Sequence, residues 1–235
     1  DRDGALNTLP YSINNLAIDA VSRGELNRRL LTEAEKLPNV SVHFDHECVD
    51  VDLGTAQATF AHGGTFIIQD ADVVFGCDGA SSAVRQKMMR GRFNYSQEFL
   101  EHDYKQVVFP ANADGTPKMD PQGLHIWPRR FYMMMGLANQ DGTFTGTLFM
   151  PNTHTQDAPG FDTVQTEAQA AAFFNEHFAD VPRLVPDLVE QYVSNPQSTL
   201  TVIRCDPGPV NGKAAPAGDS AHAVVPFYGE GMNAG

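Results

Sequence analysis

The sequence predicts a mixed α/β fold in which a mostly antiparallel sheet is inserted between two α/β pieces. Two short strands, near residues 73–75 and 213–217, each run into a break that carries a glycine and an aspartate. A strand, a glycine turn and a following helix are typical of α/β proteins. Between these pieces lie three strand-like runs, LHIWP, FYMMMGLAN and TFTGTLFM, which predict the inserted sheet.

The composition is that of a globular protein and excludes some partners. Of the 235 residues, 42% are hydrophobic and 19% are charged, and the formal net charge is −13. An acidic balance of this size argues against nucleic acid or an anionic membrane as the main partner. Cys48, Cys77 and Cys205 form no C-x-x-C pair, so we expect three buried free thiols in a reducing compartment.

Residues 22–37 predict the first helix. Ser22 and Glu25 form an S-x-x-E capping box, and leucines and an alanine recur at helical spacing before Pro38 ends the segment. Alternating apolar residues predict a strand over residues 40–52. A hairpin follows in AQATFAHGGTFIIQ, with His62-Gly63-Gly64 as its turn.

The rest of the chain continues this pattern. The strand at 73–75 leads through a break at Gly76 to Gly79, which carries Asp78, into a short helix that extends to Met89. Asn139 to Gly142 form a hairpin turn between two strands of the middle sheet. Residues 166–194 predict helices, and residues 199–205 predict a returning strand. Pro216 lies in the last strand, KAAPAGD, which we therefore expect to be short or distorted.

Two clusters of reactive residue types have simpler interpretations. In HFDHEC, His43 and His46 would lie on opposite faces of the predicted strand, so they would not share a metal ion. We expect no metal site there. The segment GDSAH contains serine, aspartate and histidine, but neighbours on one turn do not form a catalytic relay, and no G-x-S-x-G motif is present.

The YMMM run predicts core packing, a flat apolar pocket wall, or both on alternate faces.

The two glycine-rich breaks carry the strongest functional signal. One is CDGASSAVR at residues 77–85, and the other begins at GD and continues as P-x-x-G-x-G-x-N to Asn233. Glycines let a ligand approach the backbone, and a following helix start favours an anionic group. An aspartate at the end of a parallel strand can accept a hydroxyl of a ribityl or ribose chain.

These motifs resemble those of the flavoprotein aromatic hydroxylases, which carry a DG motif midway and a GD motif followed by P-x-x-G-x-G-x-N. The resemblance is greatest to the members that hydroxylate kynurenine. It extends over nearly the whole chain, through LPYS, VSRGELNRRLLTEAEKLPNVSVHF, VFGCDGASSAVR, RFNYSQEF, LHIWPRRFYMMMGLANQDGTFTGTLFMP and GDSAHAVVPFYGEGMNAG. It implies a PHBH-like fold with a partial FAD-binding, Rossmann-like domain.

The resemblance also implies roles for individual residues. Asp219 would hold the ribityl chain of FAD, and the DG motif would serve both FAD and NADPH. The implied cofactor-binding residues are Arg23, Cys48, Asp78, Gly79, Arg85, Gly218, Asp219, Pro226, Gly229, Gly231, Met232 and Asn233. The implied substrate-binding residues are Tyr11, Phe227 and Glu230, of which Glu230 stands where the family pattern leads us to expect a glutamine.

The activity implied by the resemblance is the hydroxylation of L-kynurenine to 3-hydroxykynurenine, a step of tryptophan catabolism and pyridine nucleotide biosynthesis. NADPH would reduce FAD, O2 would add to give a flavin C4a-hydroperoxide, and no protein nucleophile or metal would be needed. Two alternatives stay open: a related flavin monooxygenase acting on another aromatic substrate, and a non-catalytic remnant that keeps the fold.

The resemblance further predicts how this chain relates to a whole enzyme. Residues 1–90 and 199–235 would belong to the FAD-binding domain, and residues 91–198 would form the substrate-binding sheet domain. A G-x-G-x-x-G unit would lie upstream, so we expect this chain alone to bind FAD weakly and to be inactive. The expected location is cytoplasmic, or the mitochondrial outer membrane if a C-terminal anchor follows.

Overall fold

The helices and strands divide between two compact units. The structure is a computed structural model that describes residues 6–10, 20–206, 210–228 and 231–234. One unit comprises the described part of residues 1–40 together with residues 101–199, and the other comprises residues 41–100 with the described part of residues 200–235. The three-part domain assignment made from the sequence stays a prediction.

The regular elements alternate along the chain much as the sequence predicts. The α-helices are α1 (Arg23–Glu35), α2 (Ala83–Met88), α3 (Glu167–His177), α4 (Val181–Leu184), α5 (Leu188–Ser194), α6 (Asp219–His222) and α7 (Gly231–Ala234). The strands are β1 (Glu47–Asp52), β2 (Gln57–His62), β3 (Thr65–Asp70), β4 (Val74–Gly76), β5 (Asn94–Phe109), β6 (His125–Pro128), β7 (Met133–Ala138), β8 (Phe144–Pro151), β9 (Ser198–Asp206) and β10 (Ala214–Pro216). Across the described ranges, no helix is both long enough and apolar enough to span a bilayer.

Helix α1 begins where the sequence predicts, with Ser22 as its N-cap. The Ser22 side chain accepts a hydrogen bond from the Glu25 backbone N–H at 3.4 Å. The Glu25 carboxylate instead accepts from the Arg28 guanidinium at 2.5 Å, which is an exposed pair one turn away. The helix therefore has the serine half of the predicted capping box, and it ends at Glu35, slightly before the predicted boundary.

The strand predicted over residues 40–52 is shorter than expected, because regular strand begins only at Glu47. Asp45 has a φ of 59°, in the left-handed region, which breaks the extended backbone just before β1. The hairpin is confirmed: β2 and β3 pair from Gln57↔Asp70 to His62↔Thr65. Gly63 and Gly64 both have positive φ, as a two-residue hairpin turn requires.

The inserted sheet is antiparallel where its pairings are described, and its strand order is β6-β7-β8-β5-β9. The sequence missed β5, a strand of 16 residues. Its sequence, NYSQEFLEHDYKQVVF, is rich in polar residues and lacks a clear apolar alternation. Pairing with β8, from His102↔Pro151 to Phe109↔Phe144, holds it in the sheet.

The core of the first unit lies between this sheet and helices α3 to α5. Met134 of β7 is fully buried there, while Met133 and Met135 on the opposite face are half-buried, so the core-packing interpretation of YMMM is confirmed for Met134. The buried Tyr192 hydroxyl donates to the Val164 carbonyl at 2.8 Å, and burial raises the pKa of Tyr192 above its ordinary value. The main members of this core are Val107, Phe109, Trp127, Tyr132, Met134, Phe144, Leu148, Phe161, Phe173, Phe174, Phe178, Leu188 and Tyr192.

The second unit has a smaller core, between the β1–β3 sheet and helix α2. Val51 and Ala58 from the sheet pack with Val84 and Met88 from α2. At the rim of this contact, the Lys87 ammonium lies 2.7 Å from the Asp50 carboxylate, and that hydrogen bond lowers the pKa of Asp50. Helix α2 is therefore fixed in place just after the first glycine-rich break.

Candidate cofactor-binding site

The second unit brings the two glycine-rich breaks side by side. Strands β4 and β10 pair in parallel, with Val74 opposite Ala214 and Gly76 opposite Pro216. Because carboxyl ends of parallel strands meet at one edge of a sheet, Asp78 and Asp219 both follow that edge. Strand β10 has only three residues and ends at Pro216, as the proline in its sequence predicts.

Asp78 closes the DG turn by capping helix α2. Its Oδ2 accepts hydrogen bonds from the backbone N–H groups of Ala83, at 2.7 Å, and Val84, at 3.3 Å. The Ser82 hydroxyl accepts from the Arg85 N–H at 2.9 Å, so two side chains share the capping of one helix. The Asp78 side chain stays exposed, with its charge at the start of α2.

Three glycines are required at this edge, two by their backbone angles and one by close packing. Gly218 has φ 61° and ψ −141°, a conformation open essentially to glycine alone. A Cβ built on Gly76 would lie 2.6 Å from the Cβ of Val84, so glycine lets α2 pack directly against β4. Gly79, with φ 75°, provides the turn between them.

Arg85 lies inside this arrangement, with 2% of its surface exposed. Its guanidinium donates to the backbone carbonyls of Gly79 and Ala80 in the DG turn, and to the Ser220 carbonyl of α6 at 2.7 Å. It also lies over the Tyr95 ring, 5.2 Å from the centroid. These hydrogen bonds go to backbone carbonyls of both motifs, so Arg85 joins the two motifs structurally.

The sequence did not single out Ser220, although the structure buries it completely. Its hydroxyl lies within hydrogen-bond distance of the carbonyls of Gly76 and Ala217 and of the Ala217 N–H. These backbone contacts also leave the GDSAH segment without the geometry of a serine nucleophile, because His222 is exposed and Ser220 is not. The sequence signal that could have identified Ser220 is a small polar residue directly after the GD motif.

The cysteines differ from the expectation of three buried thiols. Cys77, inside the DG motif, is exposed, and Cys48 and Cys205 are half-buried. Burial is the main cause that raises the pKa of the Cys48 thiol, and the nearby charges of Asp78 and Asp50 raise it further. Burial likewise raises the pKa of Cys205, an effect that the Arg85 charge partly offsets. The expectation was wrong for Cys77, because the turn after β4 carries it to the surface.

We expect iodoacetamide at mildly alkaline pH to alkylate Cys77 several-fold faster than Cys48 or Cys205. A thiol with a raised pKa contains less thiolate at a given pH, and burial also limits access of the reagent. Peptide mass spectrometry over a time course measures the three rates in one sample. A Cys77→Ser variant is the control for peptide assignment, and equal rates at all three positions would contradict the structure.

The remaining predicted site residues are dispersed. Arg23 begins α1 in the first unit, where it lines a groove of about 360 Å³ with Gln106 and Asn195. Phe227 is half-buried in a 3₁₀ turn over Pro226–Tyr228, and 70% of Met232 is exposed in α7, which also contains Gly231 and Asn233. Tyr11, Gly229 and Glu230 lie outside the described residues.

The histidine cluster is closer together than the sequence predicted. The ring centroids of His43 and His46 are 5.6 Å apart, and His46 stacks on His62 at 4.1 Å. The argument from opposite strand faces was wrong, because residues 43 to 46 are not strand. Within the part of the chain that the structure describes, no group of three or more His, Cys, Asp or Glu side chains could hold a metal ion.

The geometry at the β4–β10 edge fits a dinucleotide cofactor. It offers bare glycine backbone at Gly79 and Gly218, and two exposed carboxylates, Asp78 and Asp219, at adjacent strand ends. Ligands of open α/β sheets bind outside the carboxyl ends of parallel strands, where an acidic residue accepts sugar hydroxyls. Fold and site therefore define a dinucleotide-binding protein of the α/β class.

Comparison with known families makes this class specific. The model of the FAD binding domain family, FAD_binding_3, matches residues 13–235, and this chain belongs to that family. It is 42% identical over 233 residues to the kynurenine 3-monooxygenase of Flavobacterium psychrophilum, covering 98% of this chain and 51% of that protein. It is also 42% identical over 225 residues to the kynurenine 3-monooxygenase of Dictyostelium discoideum, covering 95% of this chain and 48% of that protein.

Solved structures support the same fold. The tetrameric form of 2-methyl-3-hydroxypyridine-5-carboxylic acid oxygenase matches with a TM-score of 0.69 at 18% identity, over 89% of this chain and 53% of that one. The flavin-dependent halogenase CmlS matches with a TM-score of 0.61 at 16% identity, over 91% and 37% of the two chains. The predicted fold class and the resemblance to kynurenine-hydroxylating flavoproteins are confirmed. The chain spans about half the length of the curated relatives it matches.

Proposed function

We propose that this chain supplies the FAD-contacting motifs and the substrate-facing sheet of a flavin-dependent aromatic hydroxylase that acts on kynurenine. The observation that carries the proposal is the parallel pairing of β4 with β10, which brings the Asp78-Gly79 turn and the Gly218-Asp219 turn to one edge in a member of an FAD-binding family. The identity of 42% to proteins named kynurenine 3-monooxygenase supports the substrate.

In this proposal, the residues of the edge hold the cofactor. Asp219 accepts hydroxyl hydrogen bonds from the ribityl chain, Gly218 lets that chain approach the backbone, and the DG turn at Asp78 and Gly79 lies near the sugar or phosphate part of FAD or NADPH. Bound FAD, reduced by NADPH, would supply the oxygen-activating chemistry that protein side chains lack. This chain would contribute binding, orientation and exclusion of water.

The substrate side of the proposal rests on the resemblance to the kynurenine-hydroxylating flavoproteins. It assigns the antiparallel sheet to the substrate-binding domain, and Tyr11 and Phe227 to the aromatic amino acid, with Tyr11 binding the carboxylate through its hydroxyl. Glu230 would lie close to both ligands. A related aromatic compound is the second candidate substrate. The likeness to the oxygenase and the halogenase concerns the fold alone and does not select one aromatic substrate over another.

The test of the proposed function is a chimera in which residues 1–235 replace the aligned half of the Flavobacterium psychrophilum relative. We expect the chimera to bind FAD and to form 3-hydroxykynurenine from kynurenine with NADPH and O2, measured by liquid chromatography. The unmodified relative is the positive control. A folded chimera that holds FAD but hydroxylates another aromatic substrate would favour the second candidate, and one that binds no FAD would refute the proposal.

The isolated 235-residue chain provides a second test, which does not depend on the chimera. We expect it to quench FAD fluorescence only at high concentration and to give no hydroxylated product, because it spans half of the relatives' length. Tight stoichiometric FAD binding by the isolated chain would contradict this expectation.

A further inference from the structure

Ser220 connects the ends of strands that are distant in sequence. Its hydroxyl contacts the carbonyl of Gly76, the last residue of β4, which lies 144 positions earlier in the chain. The same hydroxyl lies 2.8 Å from the Ala217 carbonyl and accepts from the Ala217 N–H at 3.0 Å, just after β10. One side chain therefore bridges the two parallel strands at the edge where the Asp78-Gly79 and Gly218-Asp219 turns begin.

The backbone of Ser220 makes a second connection to the same motif. Its carbonyl accepts a hydrogen bond from the Arg85 guanidinium at 2.7 Å, across 135 positions of sequence. Arg85 in turn holds the carbonyls of Gly79 and Ala80. Ser220 thus contacts the DG motif on two sides, at the strand before the turn and at the helix after it.

The elements at this edge are short. Strands β4 and β10 have three residues each and form a sheet of two strands, and α6 has four residues with no side-chain cap. A two-stranded sheet is marginally stable in water. A fully buried hydroxyl that satisfies backbone groups of both strands is well placed to set their spacing.

We propose that Ser220 is a positioning residue, which fixes the separation of the Asp78 and Asp219 turns and so the geometry in which the cofactor is held. This inference rests on the proposed function, since it assigns Ser220 a role toward FAD. Ser220 does not touch the cofactor in this scheme. It acts through the backbone of Gly76, Ala217 and its own carbonyl.

The change that tests the role is Ser220→Ala, which removes the hydroxyl and leaves the fold intact, because Ala217 N–H still donates to the Gly76 carbonyl at 3.0 Å. We expect the strand ends to open more often and the FAD dissociation constant to rise about fivefold, since only the closed fraction binds. Thr201→Val is the matched control, because the Thr201 hydroxyl also donates to one backbone carbonyl, that of Glu98, at 3.1 Å.

Hydrogen exchange of the full 235-residue chain provides the readout that does not depend on FAD. Ser220→Ala should speed exchange of the Ala217 amide and of β4 and β10, and leave β2 and β3 as in the parent. Uniformly faster exchange in all strands would show global destabilisation and overturn the positioning role. Thr201→Val should leave β4 and β10 unchanged.

FAD titration of the chimera that carries the parent sequence, Ser220→Ala or Thr201→Val completes the test, together with the visible absorption spectrum of the bound flavin. A rise in the dissociation constant with a shifted flavin band in Ser220→Ala alone supports the inference. A parent that binds FAD with Ser220→Ala unchanged refutes the positioning role and leaves the proposed function standing. A parent chimera that binds no FAD refutes the proposed function, and the inference falls with it.

Discussion

Arg85→Met is expected to lower the free energy of unfolding of the second unit by about 3 kcal/mol. The guanidinium is 2% exposed and donates to three backbone carbonyls, so the variant leaves Gly79, Ala80 and Ser220 without those donors in a buried place. Hydrogen bonds to charged groups contribute about 1.5 to 3 kcal/mol each. The expected loss of stability is smaller than the sum of the three hydrogen bonds. The buried Nε of Arg85 finds no partner among the described residues, so the substitution also removes the cost of burying that group.

Urea unfolding followed by circular dichroism and by Trp127 fluorescence measures this effect. Trp127 is the single tryptophan of the chain and lies in the core of the first unit, so its fluorescence reports on that unit. The dichroism transition should move to lower urea in Arg85→Met. Arg92→Met, which removes an exposed arginine of the same unit, is the control and should change little. Equal urea midpoints for Arg85→Met and Arg92→Met would contradict a stabilising role of the buried Arg85 guanidinium.

Asp219→Ala is expected to weaken FAD binding by roughly 10- to 100-fold, and to change stability by less than about 0.5 kcal/mol. The carboxylate is exposed in the first turn of α6, at the end of β10, where the proposed ribityl hydroxyls would donate to it. A charge-assisted hydrogen bond accounts for a loss of this size, whereas a solvated surface carboxylate contributes little to folding. Asp219→Ala should therefore weaken FAD binding while leaving the free energy of unfolding nearly unchanged.

FAD titration of the chimera by fluorescence quenching, with thermal unfolding of the same samples, checks this prediction. Asp206→Ala is the matched control, because Asp206 is an exposed carboxylate of the same unit at the end of β9. Asp219→Asn, which keeps one acceptor oxygen, should lie between the parent and the alanine variant. Equal FAD affinities for Asp219→Ala and Asp206→Ala would refute the assigned role of Asp219.

Local signals in the sequence predicted the elements on which the site is built. The His62-Gly63-Gly64 turn predicted the β2–β3 hairpin, and the Asp78-Gly79 and Gly218-Asp219 pairs predicted where β4 and β10 end. These signals work because a turn or a strand end depends on a few neighbouring residues, above all on glycines that adopt positive φ. The resemblance of the motif stretches to flavoprotein hydroxylases was sufficient to predict the family.

The failures of sequence reasoning have a common physical origin. Strand β5 is mostly polar and is held by its pairing with β8, which no local pattern reveals. The predicted strand over residues 40–52 begins late because Asp45 adopts a positive φ. Cys77 is exposed although cysteine is usually buried, since its position in the turn after β4 decides its environment.

The sequence by itself determined the family, most of the elements other than β5 and the two glycine-rich motifs, because each depends on signals carried by residues close together in the chain. Only the tertiary structure decided that Arg85 faces inward to backbone carbonyls and that Ser220 bridges β4 and β10. Those contacts span 135 and 144 positions, and they form only when the parallel strands pair. Burial turns an arginine and a serine into connections between motifs, because a buried polar group must find a partner wherever the fold places one.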